Sequence, residues 1–463
     1  MAPFLVRASG PTDSTRPRAG ALGFSFVTFL VAGCVSYEPA PVDVSQVLHD
    51  LEALRWEASG TNGDETSAED GATPRELAAF AVAHNPTLSA VRGRIGVSNA
   101  LLIEAGLLPD PTIGWDAMDV LAVELNGESA TSVEYLAGLG LSIPLLRPGE
   151  RDAKQGVAGW RLQEALRRVT EAEWLLARDV HVASESVLEA QELLTQNARL
   201  TEVAETTREY FQRARQAGAA TAIQDNLAVG ELLGIRAERI RLEARLREVR
   251  HALNALLGLT PTAVVPVVAS PDLLDPLPSD PKALAETAVE RRPDLEALLA
   301  LYQAAEEEVR LEVSRQFPQI SIGTGISIVP GFFSGFNRYA IATGLARRAQ
   351  LASEIEARVH EVRRDVHDTF AAYHEARRQS EYLESAVLPN AEESLRLARE
   401  AFDAGEVTLL EILTLQRTLV DARTRVTETR AERSRRRWKL LAASGQLLGT
   451  PRKNDTEDEE IER

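Results

Sequence analysis

The sequence has little of three residue types that many enzymes and disulfide-stabilised proteins use. Its 463 residues include one cysteine and two methionines, and only 5% of them are aromatic. With a single cysteine, no intramolecular disulfide can form. We find no HExxH motif, no phosphate-binding glycine loop and no nucleophile motif, so the sequence predicts no catalytic residue and a protein that is not an enzyme.

Basic charge is also scarce. The chain has 51 Lys and Arg against 69 Asp and Glu, a net charge of −18. Nucleic-acid-binding proteins carry basic patches, so this balance argues against that class. The one basic run, RSRRRWK at 433–439, lies in a helical pattern beside acids and is interpreted as a solvated helix face. Ala, Leu, Glu and Arg dominate, which favours long helices and coiled coils.

The single cysteine, Cys34, follows an apolar run at 19–33 that is too short to span a bilayer as a helix. Arginines precede this run, as in a secretory signal. The residues LVAG at 30–33 followed by Cys34 resemble a bacterial lipobox, which implies cleavage before Cys34 and its modification by diacylglycerol and an acyl chain. A plain signal peptide or a buried small residue is the alternative. We expect a lipoprotein signal peptide at 1–33 and a lipidated tether at 34–76, with no other cofactor.

From Leu77 onward the sequence repeats one plan twice. LAAFAVAHNPTLSA at 77–90 aligns with LAETAVERRPDLEA at 284–297, a register of 207. Further along, QAGAAT at 216–221 aligns with DAGEVT at 403–408, a register of 187. Because the register falls between these two anchors, the second copy is shorter there. We therefore divide the chain into a first repeat at 77–258, a linker at 259–283, a second repeat at 284–449 and an acidic tail at 450–463.

Each repeat is predicted to contain a helix, a β-hairpin and a long antiparallel helical hairpin. The segment from Gly149 to Gln216 contains no proline, and as one helix it would reach about 100 Å. Gly218 and Gly405 are expected to end the outgoing helices, because glycine adopts the left-handed conformation at a helix C-terminus. Pro389 is expected to interrupt the outgoing helix of the second repeat. Apolar spacings of three and seven residues favour coiled-coil packing.

Period-two patterns predict strands near 112–120, 133–144 and 319–329. Aliphatic residues alternate there with Gly and Ser, which is typical of membrane-barrel strands but also of soluble sheets. A fourth, shortened strand is expected near 338–345. It is short because LSIPLLRPGER at 141–151 has no counterpart after that segment.

These features together resemble the TolC-like outer-membrane efflux proteins, specifically their lipoprotein branch. The resemblance covers residues 77–449 and is most specific at 84–115, 141–153 and 401–423. It implies a mainly α fold with a small β part, in which three chains close one barrel of 12 strands that a helical barrel continues. It also implies an outer-membrane location and passive export of solutes. An inner-membrane pump of the resistance-nodulation-division type and a periplasmic adaptor would deliver these solutes.

The resemblance also assigns roles to four residues. It places Gly218 and Gly405 at the periplasmic helix tips, where the adaptor docks and the entrance narrows. Glu411 matches an acidic entrance position, and three copies would form a carboxylate ring that selects cations. Alternatively, Glu411 is an outward-facing helix acid. In the first repeat Gln224 occupies the matching position, which makes the adjacent Asp225 a second candidate entrance charge.

Three histidines, His360, His367 and His374, recur every seven residues on one predicted helix. Seven residues rise about 10.5 Å along a helix, too far for two imidazoles to share a Zn²⁺ at about 2 Å each. We interpret them as a surface stripe and predict no metal site.

The shortened fourth strand leaves two hypotheses. In the first, the barrel closes with a short return strand and the protein is an efflux duct. In the second, the protein is a non-conducting periplasmic helical lipoprotein, a degenerate paralogue with an incomplete barrel. Binding to nucleic acid is expected in neither case.

Overall fold

The computed structural model describes residues 37–56, 71–118, 136–269, 280–323, 326–331 and 335–447. The predicted signal peptide, Cys34 and the acidic tail lie outside these residues. The chain divides into two compact units, residues 1–50 and 51–463. Helix α1 (Val44–Ala53) begins in the first unit, and none of its residues is buried. Within the described part of the chain, no helix is both long and apolar enough to cross a membrane.

The first repeat begins at Pro74, three residues earlier than predicted. Thr73 and Glu76 form a capping box there, and proline suits the first turn of a helix because it lacks an N–H. The longest helix, α4, has 67 residues and is therefore about 100 Å long. The elements are α2 (Pro74–His84), α3 (Pro86–Ala105), β1 (Thr112–Met118), β2 (Leu136–Leu145), α4 (Glu150–Gln216) and α5 (Ala222–Leu257).

The second repeat begins at Pro281, which matches Pro74 in the register that aligns the two repeats. A π-helical turn from Leu383 to Val387 stands just before Pro389 and absorbs the interruption that the proline causes. The elements are α6 (Pro281–Arg291), α7 (Pro293–Ser314), β3 (Gln319–Gly323), β4 (Ile326–Val329), α8 (Arg338–Tyr382), α9 (Leu388–Asp403) and α10 (Leu409–Ala443).

The prediction of a strand near 338–345 is wrong, because these residues form the first turns of α8. Gly149 and Asn337, with φ angles of 75° and 61°, precede α4 and α8 in the same way. The missing residues are therefore lost from the β-hairpin, and the long helix is intact. Ala, Leu and Arg in this segment favour a helix, and asparagine tolerates a positive φ.

The return strand of the second hairpin is β4. Its sequence, ISIV at 326–329, is the counterpart of LSIP at 141–144, which the sequence analysis did not find. The four strands form one antiparallel sheet in the order β1-β2-β3-β4. The predicted strand at 319–329 is thus two short strands that pair with each other in antiparallel fashion.

Each repeat has an apolar core at the same place. In the first repeat, Leu77 of α2 packs with Val180 of α4 and Leu257 of α5. In the second, Leu284 of α6 packs in the same way with Val362 of α8. The register that pairs Leu77 with Leu284 therefore relates packing as well as sequence.

The predicted linker is more than a spacer. Leu259, Val265 and Val267 are buried in the core of the first repeat. Val267 also forms a parallel bridge with Ala72, just before α2. The first part of the segment 259–283 therefore closes this core.

Buried charges connect the two repeats. Glu189 of α4 has a side chain that is only 1% exposed, and it pairs with Arg245 of α5 at 2.8 Å and Arg435 of α10 at 2.5 Å. A carboxylate this far from water requires charged partners, and removing one partner of such a set is strongly destabilising. Glu189 therefore holds helices of both repeats together.

A stacked aromatic pair lies beside this ion pair. The rings of His181 of α4 and Trp438 of α10 are nearly parallel, with centroids 3.7 Å apart. Burial, and then the charge of Arg75, lowers the pKa of His181 to about 4. The imidazole is therefore neutral at pH 7.

We predict that this pair makes the protein sensitive to acid. Unfolded His181 takes up a proton near pH 6.5 and the folded residue near pH 4, so stability falls as the pH falls between these values. A shift of this size corresponds to about 3 kcal/mol at most. His181→Phe keeps an aromatic ring against Trp438 and removes the titrating group. Apparent Tm values in detergent should fall less between pH 7 and pH 4.5 for the variant, and an equal fall would contradict the prediction.

Candidate functional site

All four strands contribute aliphatic side chains to one face of the sheet. Directly paired residues share a face, and the register pairs Ile143 with Ile322 and Ile322 with Ile326. Each side chain is exposed in the single chain, from 37% for Ile320 to 74% for Ile326. This apolar sheet face consists of Ile113, Leu141, Ile143, Leu145, Ile320, Ile322, Ile326 and Ile328.

The opposite face carries small and polar residues. Ser142 pairs with Thr112 and Gly323, and Ser321 pairs with Ser327. Strands of a transmembrane barrel alternate in this way, with apolar side chains toward lipid and polar ones toward the lumen. Covering a Leu or Ile side chain contributes about 1.5–3 kcal/mol, so eight exposed ones strongly favour an apolar environment.

The sheet is open on both sides. Among the described strands, β1 pairs only with β2, and β4 pairs only with β3. One row of backbone N–H and C=O groups on each outer strand therefore lacks a strand partner. In hydrocarbon, each unsatisfied group costs several kcal/mol, so a sheet with this face must meet further strands at both edges.

The two hairpins differ in height. β1 and β2 have 7 and 10 residues, whereas β3 and β4 have 5 and 4. In the described residues, β3 pairs with Ser142–Leu145, the end of β2 nearest the helices. A barrel strand needs about 9–11 residues to cross a bilayer. The second hairpin therefore extends the sheet only in the part next to the helices.

The two helical hairpins turn through the same structure. Gly218 has a φ angle of 73°, its N–H donates to the carbonyl of Arg215, and the N–H of Ala219 donates to Ala214. The same two hydrogen bonds form around Gly405, whose φ is 78°. This is a Schellman motif. A Cβ built on either glycine would meet no atom within 4 Å, so the positive φ, and not crowding, requires glycine.

A capping box starts each returning helix three residues after the glycine. The N–H of Thr221 donates to Gln224 at 2.8 Å, and the N–H of Thr408 donates to Glu411 at 2.6 Å. The backbone N–H and then the hydroxyl of Thr408 lower the pKa of Glu411. Glu411 is therefore an exposed, ionised residue with a structural task. Its role as an entrance charge stays a prediction.

Asp225 is not a free charge. Its carboxylate pairs with Arg215 at 2.8 Å across the first tip, and its side chain is only 14% exposed. The two charges offset each other, so Asp225 by itself adds little to the field at the tip. The second repeat has Phe402 and Ile412 at these two positions.

The two tips lie side by side. Phe211 of α4 and Ala228 of α5 share one apolar cluster with Leu409 and Leu413 of α10. Arg417 of α10 also pairs with Glu231 of α5. The fold thus places the helical hairpins that turn at Gly218 and Gly405 next to each other, while adaptor docking at these glycines stays a prediction.

Two pairs of exposed apolar residues at the tips were not predicted from the sequence. Ile223 and Leu410 are 72% and 59% exposed, and Tyr210 and Leu397 are 57% and 50% exposed. The register that aligns the two tip glycines also aligns the members of each pair, so the repeat could have revealed them. A repeated apolar surface on two adjacent tips is suited to binding a partner protein.

The histidine stripe lies on α8. His360 and His367 are exposed, and the ring of His374 lies 4.2 Å from that of Phe370. Across the described ranges, no group of three His, Cys, Asp or Glu residues is placed to hold a metal ion.

The family model for outer membrane efflux proteins matches residues 79–259 and 322–446. The chain belongs to this family. It is 23% identical over 391 residues to the cobalt-zinc-cadmium resistance protein CzcC of Cupriavidus metallidurans, and the match covers 81% of this chain and 90% of CzcC. It is 29% identical over 252 residues to the outer membrane protein OprJ of Pseudomonas aeruginosa, and that match covers 47% of this chain and 51% of OprJ.

The fold also matches solved structures. A membrane protein from Pseudomonas aeruginosa aligns with a TM-score of 0.68 at 22% identity, covering 85% of this chain and 98% of that one. The predicted family, the mainly α fold, the outer-membrane location and the efflux function are confirmed. The family consists of transport proteins.

We predict that Glu411→Gln separates the two tasks of this residue. The amide keeps the capping box, because Gln224 forms the same one in the first repeat, while one charge per chain is lost. The variant should therefore fold normally and show a weaker cation preference in reversal-potential measurements. Thr408→Ala is the matched control, since it keeps the charge and loses the cap at a cost of about 1 kcal/mol. Unchanged ion selectivity in Glu411→Gln would remove the carboxylate-ring hypothesis.

Proposed function

We propose that three copies of this chain close one outer-membrane barrel, and that their helices continue it as a periplasmic duct for passive export. The observation that carries the proposal is the apolar sheet face, which is exposed in the single chain and open at both edges. Four strands cannot close around a lumen. Neighbouring copies supply the missing partners, so that three chains contribute 12 strands.

The helices have the dimensions that a duct requires. α4 is about 100 Å long, and α8 with the π-turn and α9 runs over almost the same number of residues, from 338 to 403. Each repeat therefore contributes one continuous outgoing helix and one returning helix. Three chains would place six such hairpins around a common axis.

The tips support docking of a periplasmic adaptor. Ile223 and Leu410 occupy the same position on the two tips and are exposed, and the Schellman turns hold the two tips in the same conformation. Exposed apolar side chains at the same position on two neighbouring tips favour contact with another protein. In this proposal the adaptor docks around Gly218 and Gly405, and an inner-membrane pump of the resistance-nodulation-division type supplies the energy.

The alternative of a non-conducting helical lipoprotein rested on a truncated fourth strand at 338–345. β4 takes the place of that strand and pairs with β3 along its whole length. The matched relatives favour the channel. Conductance of the purified trimer in a planar bilayer tests the channel directly, and a trimer that inserts but does not conduct would return the alternative.

Adjacent residues on β3 provide a matched pair of variants. Ile322 lies on the apolar face, and Ser321 lies on the polar face. Ile322→Arg should impair assembly in the outer membrane, because an arginine facing lipid costs up to about 2–4 kcal/mol, depending on its depth. Ser321→Arg should assemble and conduct. The fraction of trimer recovered from outer membranes is the measurement, and equal recovery of both variants would contradict the assignment of the two faces.

We also infer that Cys34 carries diacylglycerol and an acyl chain that anchor the N-terminus in the outer membrane. The support is the lipobox-like LVAG before Cys34 in a chain of an outer-membrane family. Cys34→Ala should lose labelling by radioactive palmitate and still require detergent, because the apolar sheet face remains. Retained labelling would reject the lipid anchor, and a water-soluble monomer would reject the barrel.

A further inference from the structure

Two arginines hold equivalent positions where the strands pass into the long helices. Arg151 is the second residue of α4, and Arg338 is the first residue of α8. The register that relates Gly218 to Gly405 in the two tips also relates Arg151 to Arg338. Since β2 and β4 precede these helices, both arginines lie at the base of the sheet.

Both guanidinium groups are exposed and available. Arg151 donates to the carbonyl of Gly106 at 2.9 Å, and Arg338 lies 5.9 Å from the ring centroid of Tyr339. Within the described residues, no carboxylate is within salt-bridge distance of either one. The neighbouring Arg147, Arg347 and Arg348 differ in this respect, since they pair with Glu150, Glu308 and Glu306.

Exposed aromatic residues lie close in sequence to the strand ends and to Arg338, at the base of the sheet. Phe317 is 47% exposed, Phe336 58% and Tyr339 76%. They lie next to the strand ends, immediately below the apolar sheet face. We call Arg151, Arg338, Phe317, Phe336 and Tyr339 the junction belt. Aromatic rings next to cationic side chains, at the border of a lipid-facing surface, are typical of the membrane–water interface.

A cavity of about 590 Å³ lies between the end of α3 and the start of α4, and its lining includes Ala105 and Leu107, the two neighbours of Gly106, to whose carbonyl Arg151 donates. Leu107 and Leu108, which line it, are 65% and 67% exposed. Its larger aliphatic lining residues are Leu101, Leu107, Leu108, Leu146, Val157 and Leu311. Its charged lining consists of Glu104, Asp110, Lys154 and Arg161. The cavity is thus suited to an acyl chain below a polar headgroup.

We propose that the junction belt binds glycerophospholipids of the periplasmic leaflet, with one phosphate on Arg151 and one on Arg338. A guanidinium group forms two parallel hydrogen bonds to phosphate oxygens, and both groups lack a competing carboxylate. The lipid bound at Arg151 places an acyl chain in the leucine-lined cavity. This inference rests on the proposed insertion of the sheet in the outer membrane and adds the lipid headgroup as a specific ligand.

The test uses the full-length trimer, delipidated in detergent and titrated with phosphatidylglycerol, with native mass spectrometry to count bound lipids. We expect up to two tightly bound lipids per chain. Arg151→Gln and Arg338→Gln should each weaken one site about tenfold, as expected for the loss of a charge-assisted pair. Arg151→Lys should be intermediate, because it keeps the charge and loses the two-pronged geometry. Arg399→Gln is the matched control, since Arg399 is also exposed but lies about 90 Å along the helical hairpin.

Conductance of the same variants separates the two proposals. The double variant Arg151→Gln, Arg338→Gln should still insert and conduct while retaining few lipids. Retention equal to that of the parent would overturn the lipid sites and leave the channel intact. A parent trimer that binds no phosphatidylglycerol would also overturn them, and would indicate that a second copy of the chain covers the belt. Failure of the parent to conduct would instead overturn the proposed function.

Discussion

The four-stranded sheet depends on an environment that the chain does not provide. Eight exposed Leu and Ile side chains cover one face, and among the described strands each outer one has a row of backbone groups without a strand partner. Exposed apolar side chains are unfavourable in water. Backbone groups without hydrogen-bond partners are unfavourable in lipid. Only a closed barrel of strands within a bilayer both covers the apolar side chains with lipid and pairs the backbone groups. The proposed trimer therefore follows from the hydrogen-bonding and burial requirements of a single chain.

Duplication explains why the helices of the two repeats have the same arrangement next to the sheet. Cores, glycine turns and helix caps recur at fixed registers, so the two repeats place helices of similar length side by side. Contacts that join the two repeats have no repeated counterpart. Glu189 with its two arginines and the stack of His181 on Trp438 each occur once. A ring built from two unequal halves needs such contacts to fix how the halves fit together.

Much of this could be predicted from the sequence, because repetition and helix termination leave strong signals. Gly218 and Gly405 are both in the predicted turns, and the strands at 112–118 and 136–145 lie where the alternation placed them. The second hairpin was hidden for a geometric reason. The numbers of paired residues such as Ile322 and Ile326 differ by an even number, so the period-two alternation in the sequence continues from β3 into β4 as if one strand ran from 319 to 329.

The candidate site was less predictable, because its side chains act through contacts that spacing does not encode. Glu411 was predicted to be an entrance charge or an outward-facing helix acid, and the structure adds that it forms a capping box with Thr408, three residues earlier. Asp225 looked available, yet Arg215 comes close only when the helix turns back. The capping box could have been predicted from Thr408 in the sequence. The pairing of Asp225 with Arg215 could be seen only in the folded structure.

The shortness of the second hairpin has a consequence for the surrounding lipid. The five residues of β3 rise about 17 Å along the strand. The apolar band on the outside of a transmembrane barrel is usually about 25 Å tall. Around the circumference of a trimer, three taller segments formed by β1 and β2 would alternate with three shorter segments formed by β3 and β4. Acyl chains next to the shorter segments must compress or tilt to cover them, which costs fractions of a kcal/mol per Å of mismatch. The assembly would thus favour thin membrane regions and impose a threefold pattern of thinning on its nearest lipids.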